Sequence, residues 1–444
     1  MINFRGESRR GASRRAFLKS STTAMVTWAV APTPAIVPAV SSSGQAIPRN
    51  VEEKSRELTI EVAAGEYERQ NTPVFFPLPG TWRDEQRLML KRADTGELVD
   101  AQVESGPSPR LVWLIRDVLK GGQTRRYTLT PEVTAAPPLP VVASDDGRSL
   151  IVNAGGRPVL RYNAAILPAP DPQQSVYERS GYIYPLFNPL GQAVSDDFPP
   201  DHAHQHSVWF AWSKATFEGH ELNCWEFFQG KGRIDHERLE ESGGGAVFAH
   251  FTARLRHVDP NTAGGPKTAL YETWKLLVYN LTEVFIFDVD LTQTCATQSP
   301  VQVLENSYGG LAIRGHRNWF DVSNSEYLTS EGKTRRDGNQ TRPRWVDLHG
   351  WIDGKVSGIS VLDHPDNFRF PQPVRLHPEK PYFCFAPPAL GPFKIDPGNA
   401  YRSRYRFFVH GGRPDPGTID RVWNDFAHPA QARMVKEGSR FPPY

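Results

Sequence analysis

The sequence predicts an all-β fold: a small N-terminal β domain followed by a large, supersandwich-like antiparallel β-sandwich. Three observations carry this prediction. The chain holds 39 prolines and 36 glycines in 444 residues, which break helices and supply turns. Apolar residues recur with period two, as in Val247, Ala249, Phe251, Ala253 and Leu255, which alternate with a largely polar set. Two apolar-rich runs, Leu270 to Val278 and Val284 to Leu291, flank Asn280-Leu281-Thr282-Glu283, the pattern of an antiparallel hairpin from the middle of a sandwich.

Residues 1–46 stand apart from the fold. Ser13-Arg14-Arg15-Ala16-Phe17-Leu18-Lys19 satisfies the twin-arginine export consensus, and a short, weakly apolar stretch and a Pro/Ala/Ser-rich tail follow. The expectation is a signal peptide read by the twin-arginine export machinery, with a periplasmic or secreted product. This segment carries six of the 51 Lys and Arg and one of the 49 Asp and Glu, so the rest of the chain is slightly acidic, at −3. A nucleic-acid partner, which needs clustered positive charge, is therefore not expected. Nor is stable membrane insertion, since no later run is long and apolar enough to span a bilayer. Cys224, Cys295 and Cys384 are too few and too widely spaced for a disulfide framework.

The small domain is expected over 57–133, with strands at Leu58–Val62, Val74–Leu78, Arg87–Arg92, Leu111–Ile115 and Arg125–Leu129. A Pro-rich linker at 134–140 favours extended backbone. The large domain, 141–427, would end on the strand Arg404 to Gly412, leaving 428–444 as a C-terminal tail.

Chemistry concentrates in Asp201-His202-Ala203-His204-Gln205-His206. In an extended segment His202, His204 and His206 would share one face, and imidazole is the side chain suited to moving protons or binding a metal near neutral pH. The aromatic run Trp209, Phe210 and Trp212 follows. Other polar-aromatic clusters are Glu305 to Arg314, Gly350 to Gly354 around Trp351, and Asp363-His364-Pro365-Asp366-Asn367.

Several of these segments together resemble a bacterial family labelled methane oxygenase PmoA. They are Glu66 to Val74, the Asp-His-x-His run with its aromatic strand, the Asp-His-Pro-x-Asn turn, and the Pro-Gly…Tyr-Arg-x-x-Val-His-x-Gly ending. Members of that family are all-β proteins encoded among genes for carbohydrate breakdown. The resemblance implies a sugar-directed role and matches Asp201, His202 and His204, but not His206; Tyr308 stands where relatives often carry Glu.

The expected function is thus an exported carbohydrate-active enzyme that cleaves glycosidic linkages by lyase or hydrolase chemistry. The alternatives are a non-catalytic glycan-binding protein and a sugar isomerase or mutarotase. Elimination across a uronate would use His202 or His204 as base, Tyr308 as acid and Arg314 to neutralise the carboxylate. Hydrolysis would draw two carboxylates from Asp201, Glu226, Glu272, Glu305 and Asp363. Trp209, Trp212, Trp351, Asp363, His364 and Asn367 are candidate substrate contacts. Asp201, His202 and His204 are candidate ligands for a divalent metal, the cofactor the residue types would suit.

Overall fold

The computed structural model describes residues 58–78, 88–131 and 140–435. The expected signal peptide and nearly all of the expected linker lie outside the described residues. Within them the chain is all-β, with four antiparallel sheets of seven, eight, four and eight strands. The abundant turn residues and period-two patterning explain that outcome.

The N-terminal sheet runs in the order Thr72–Pro77, Arg110–Ile115, Leu98–Glu104, Leu88–Arg92, Thr124–Pro131, Leu58–Ala63 and Gln431–Met434. Five of these strands match the expected ones. Leu98–Glu104 escapes the sequence pattern because its burial is irregular and its start is exposed. The last strand corrects the expected C-terminal tail: Gln431–Met434 returns to pair with Leu58–Ala63, Ile60 facing Met434.

Two eight-stranded sheets form the sandwich. One runs Val374–Leu376, Tyr382–Phe385, Gly310–Arg314, Val208–Ala211, Tyr182–Leu186, Arg157–Asn163, Ser149–Ala154 and Val142–Asp145. The other runs Arg233–Gly243, Phe248–Asp259, Lys267–Tyr279, Phe285–Cys295, Tyr401–Gly411, Lys355–Asp363, Trp345–Ile352 and Ser325–Thr329. The expected hairpin lies at its centre, with Val278 opposite Phe287. One apolar core joins the two sheets. Across it Tyr162 meets Phe251 and Phe385 meets Tyr405, each at 5.3 Å between ring centroids.

One α-helix, Pro416–Ala427, is absent from the sequence expectation. Its start is written in Asp415, whose side chain accepts the Thr418 N–H, and in Pro416 at the first turn. It buries Ile419, Val422, Trp423 and Phe426 in a cluster with Phe408 and Leu362. It also links the two parts of the chain, because Arg69 of the N-terminal region ion-pairs with Asp425 at 3.0 Å, both nearly fully buried.

Gln102 makes a second link. Its Oε1 accepts from the backbone N–H of Val247 and Phe248, and its Nε2 donates to the Phe248 carbonyl, all at 3.0 Å. Gln102→Ala strands these partly buried groups. It is expected to cost about 1–3 kcal/mol, measured as a lower urea midpoint at unchanged slope.

Candidate functional site

The register of the first eight-stranded sheet decides which side chains can share a surface. Arg375 pairs with Cys384, Cys384 with Ala312, and Ala312 with Trp209, while Tyr382 pairs with Arg314. Directly opposed residues project from the same face. Arg375, Tyr382, Arg314 and Trp209 therefore point away from the sandwich core, and Phe383, Phe385, Ile313 and Phe210 point into it. On that outer face lies a cleft of about 200 Å³. Connecting segments supply its walls: His202, His204 and Gln205 from one, Trp225 and Glu226 from another, with Tyr308, Arg375, His377 and Tyr382 completing it.

The histidine run is not extended, which corrects the alternate-face expectation. Pro199 and Pro200 lead into turns in which His202 N–H donates to Pro199 O and Gln205 N–H to His202 O. The turns bring His202 and His204 side by side, ring centroids 5.6 Å apart, and both line the cleft. His206 turns inward. It is fully buried and its Nδ1 lies 2.5 Å from Asp197 Oδ1.

Asp201 and Arg314 hold His202 in place. The guanidinium donates Nη2 to Asp201 Oδ1 at 2.6 Å and Nη1 to Oδ2 at 3.1 Å, with Nη1 also reaching Gln205 Oε1 at 2.9 Å. Asp201 Oδ2 lies 2.7 Å from His202 Nδ1. Burial alone would raise the Asp201 carboxyl, but the His202 and Arg314 hydrogen bonds and the guanidinium charge outweigh it and hold the group well below the usual carboxylate range. A carboxylate can only accept, so Nδ1 carries a hydrogen and Nε2 is the nitrogen left to take up a proton. The His202 side chain is 34% exposed, so Nε2 can reach a ligand.

Across the cleft, Asn223 forms an Asx turn. Its Oδ1 accepts from Trp225 and Glu226 N–H, and its Nδ2 donates to Glu226 Oε2 at 2.6 Å. Tyr308 donates its hydroxyl to Glu226 Oε1 at 2.8 Å. Burial, then the Glu226 hydrogen bond and charge, push the phenol up to about 12, so it stays protonated and able to act as an acid. Tyr308 is fixed by the chain after it: a Cβ at Gly310, where φ is +126°, would lie 2.3 Å from Phe385 O. The Trp225 ring packs on Tyr308 and on Tyr382, which forms the floor.

His204 and His377 are held neutral. Burial, then the charges of His202, His206 and Arg314, lower His204 to about 4. Burial, then Arg375, His202, Arg314 and Lys380, lower His377 to about 4. Nδ1 of His377 accepts from the Glu379 and Lys380 N–H groups, so in the neutral ring Nε2 carries the hydrogen. Below about pH 6.5 the unfolded chain takes up protons that these folded rings refuse, so stability falls as pH drops from about 6.5 towards 4. We expect the melting temperature to decline over that window, and less steeply in His204→Gln.

Other expected site residues lie elsewhere. Trp209 is fully buried beneath Trp225 and Tyr382. Trp212 is core, its Nε1 donating to Gln293 Oε1. Trp351 is exposed, but in a separate groove with Asn324, His349 and Arg413. Asp363, His364 and Asn367 build a buried turn beside the helix, where Asp363 accepts from Asn367 Nδ2 and Gln372 N–H and His364 packs on Phe426. None of the six lines the cleft. The metal reading does not fit either: both Asp201 oxygens are engaged by Arg314 and His202. No group of three or more His, Cys, Asp or Glu among the described residues is arranged to hold an ion. Arg375, His377 and Tyr382 are site residues that the sequence reading missed.

These features define an all-β sandwich protein with a histidine-lined cleft on the outer face of one sheet. Residues 149–424 match the model of a family of unknown function (DUF6807), and the chain belongs to that family. No curated protein matches in sequence. Among solved structures, an alpha-mannosidase from Enterococcus faecalis V583 is 8% identical with a TM-score of 0.43, over 86% of this chain and 46% of that one. A glycosyl hydrolase family 38 protein from Enterococcus faecalis is also 8% identical, at 0.39, over 87% and 48%. A galactose mutarotase related enzyme from Lactobacillus acidophilus is 10% identical, at 0.21, over 61% and 97%. The chain spans about half the length of the two Enterococcus proteins.

Proposed function

We propose that this protein is an exported carbohydrate-active enzyme that cleaves glycosidic linkages by acid–base catalysis in the cleft. The observation that carries the reading is the Arg314–Asp201–His202 chain, which fixes the tautomer of a reachable imidazole. His202 Nε2 is the base, and the Tyr308 hydroxyl, backed by Glu226, is the acid. Trp225 and Tyr382, 2% and 4% exposed, close the cleft behind these groups. The twin-arginine pattern Ser13 to Lys19 supports export, and the resemblance to a family encoded among carbohydrate genes supports the substrate class.

One observation weighs between chemistries. Two-carboxylate hydrolysis needs a pair of acids flanking the bond, and Glu226 is the single carboxylate among the residues lining the cleft. Glu272 is fully buried with His257 and Trp274, and Asp363 lies in the turn beside the helix. This favours elimination. A purely binding role is weakened because Trp209, Trp212 and Trp351 lie outside the cleft and Trp225, which lines it, is 2% exposed. The test is release of new reducing ends from a panel of poly- and oligosaccharides, since both chemistries generate them. No release from any member would overturn the cleavage reading.

A further inference from the structure

We propose that the cleft selects a sugar bearing a carboxylate, and that Arg375 is the residue that selects it. The inference rests on the acid–base reading above and adds the substrate class. Arg375 sits on the edge strand Val374–Leu376 and lines the cleft. Its one side-chain hydrogen bond among the described residues is a long one, Nη1 to Leu376 O at 3.5 Å. No carboxylate among the described residues lies within ion-pairing distance. Other arginines have partners: Arg314 pairs with Asp201 and Arg317 with Asp196, while Arg342 and Arg369 donate to backbone carbonyls. The one cleft carboxylate, Glu226, is committed to Asn223 and Tyr308.

A guanidinium is always charged, and its planar fork matches a carboxylate with two parallel hydrogen bonds. An unneutralised one facing a cleft is a place for an anion. The surroundings agree, since the positive charges of Arg375, Arg314 and Lys380 all act on His377 and disfavour its protonation. The neutral His377 Nε2–H adds a donor without adding a charge.

A carboxylate is favoured over other anions because it completes the chemistry already in the cleft. With Arg375 on the carboxylate, His202 Nε2 takes the proton from the carbon next to it. The electron pair left behind forms a carbon–carbon double bond with the adjacent ring carbon. The bond from that carbon to the leaving sugar's oxygen breaks, its electrons staying on oxygen, which takes the Tyr308 proton. The products are an unsaturated uronate and a new hydroxyl end, with no water or oxidant consumed.

The experiment measures binding and cleavage separately. Oligomers of galacturonate, glucuronate, mannuronate and guluronate, their carboxyl-reduced neutral counterparts and a sulfated oligosaccharide are titrated calorimetrically into His202→Gln protein, with and without Arg375→Gln. At least one uronate is expected to bind ten-fold or more tightly than its neutral counterpart, with Arg375→Gln abolishing the difference. The melting temperature should be unchanged, because Arg375 holds no ion pair. Wild-type protein should then generate the ultraviolet absorbance of the unsaturated product from that uronate. Equal binding of neutral sugars, preference for the sulfated one, or a preference that survives Arg375→Gln would each overturn the inference. Cleavage of neutral glycans alone would overturn it while leaving the acid–base reading standing. Uronate preference lost in Arg375→Gln, with no cleavage of any glycan, would support the selection and overturn the cleavage reading.

Discussion

His202→Gln should lower turnover by about two to four orders of magnitude, the usual contribution of a positioned general base, while leaving the melting temperature close to that of the wild type. Glutamine can still donate to Asp201 Oδ2, so the Arg314–Asp201 pair keeps its partners. What is lost is the basic nitrogen. The loss should fall mainly on kcat, with KM little changed, because the imidazole acts on the proton in flight rather than on the bound sugar. Asp201→Asn should give a comparable loss, since an amide that keeps accepting from Arg314 turns its NH2 towards His202 and forces the wrong tautomer. If His202→Gln retained full turnover on a substrate that the wild type cleaves, the assignment of the base would be wrong.

Arg314→Met should be the most destabilising change in the site, at about 3–5 kcal/mol. Arg314 is 1% exposed and makes three side-chain hydrogen bonds, two to Asp201 and one to Gln205. Methionine fills much of the volume but leaves a mostly buried carboxylate without its cation and Gln205 Oε1 without a donor. The sign with pH follows from the lowered Asp201 carboxyl. Its contribution is present above the unfolded-chain value of about 3.9 and lost as pH falls through that value towards the folded one. The gap between wild type and variant, measured by urea unfolding, should therefore be widest near neutral pH and close below about pH 4. Adding Asp201→Asn should recover part of the loss, because the unpaired charge is gone.

Much of the fold was legible because strand signals are local. The hairpin at Lys267–Tyr279 and Phe285–Cys295, the strand Tyr401–Gly411 and five N-terminal strands all show period-two patterning in the sequence. The helix Pro416–Ala427 was not, since a single helix beginning Pro-Gly in a proline-rich chain looks like a turn. The site was half legible. Asp201, His202 and His204 are contiguous and chemically dense, so they stand out; that they lie in turns depends on hydrogen bonds from Pro199 onward. Arg375, His377 and Tyr382 stand some 170 residues further on, and only strand order brings them beside the histidines. The tryptophans misled for a related reason. Trp209 is on the correct face, but Trp225, from the loop that follows, covers it.

The pairing of Leu58–Ala63 with Gln431–Met434 has a kinetic meaning. The N-terminal sheet borrows its last strand from the far end of the chain. During synthesis, its first strand waits with an open edge until residue 434 has left the ribosome, because edge pairing cannot precede the arrival of the partner. A nascent chain stalled before residue 431 should therefore present Leu58–Ala63 as a vacant template for other strands.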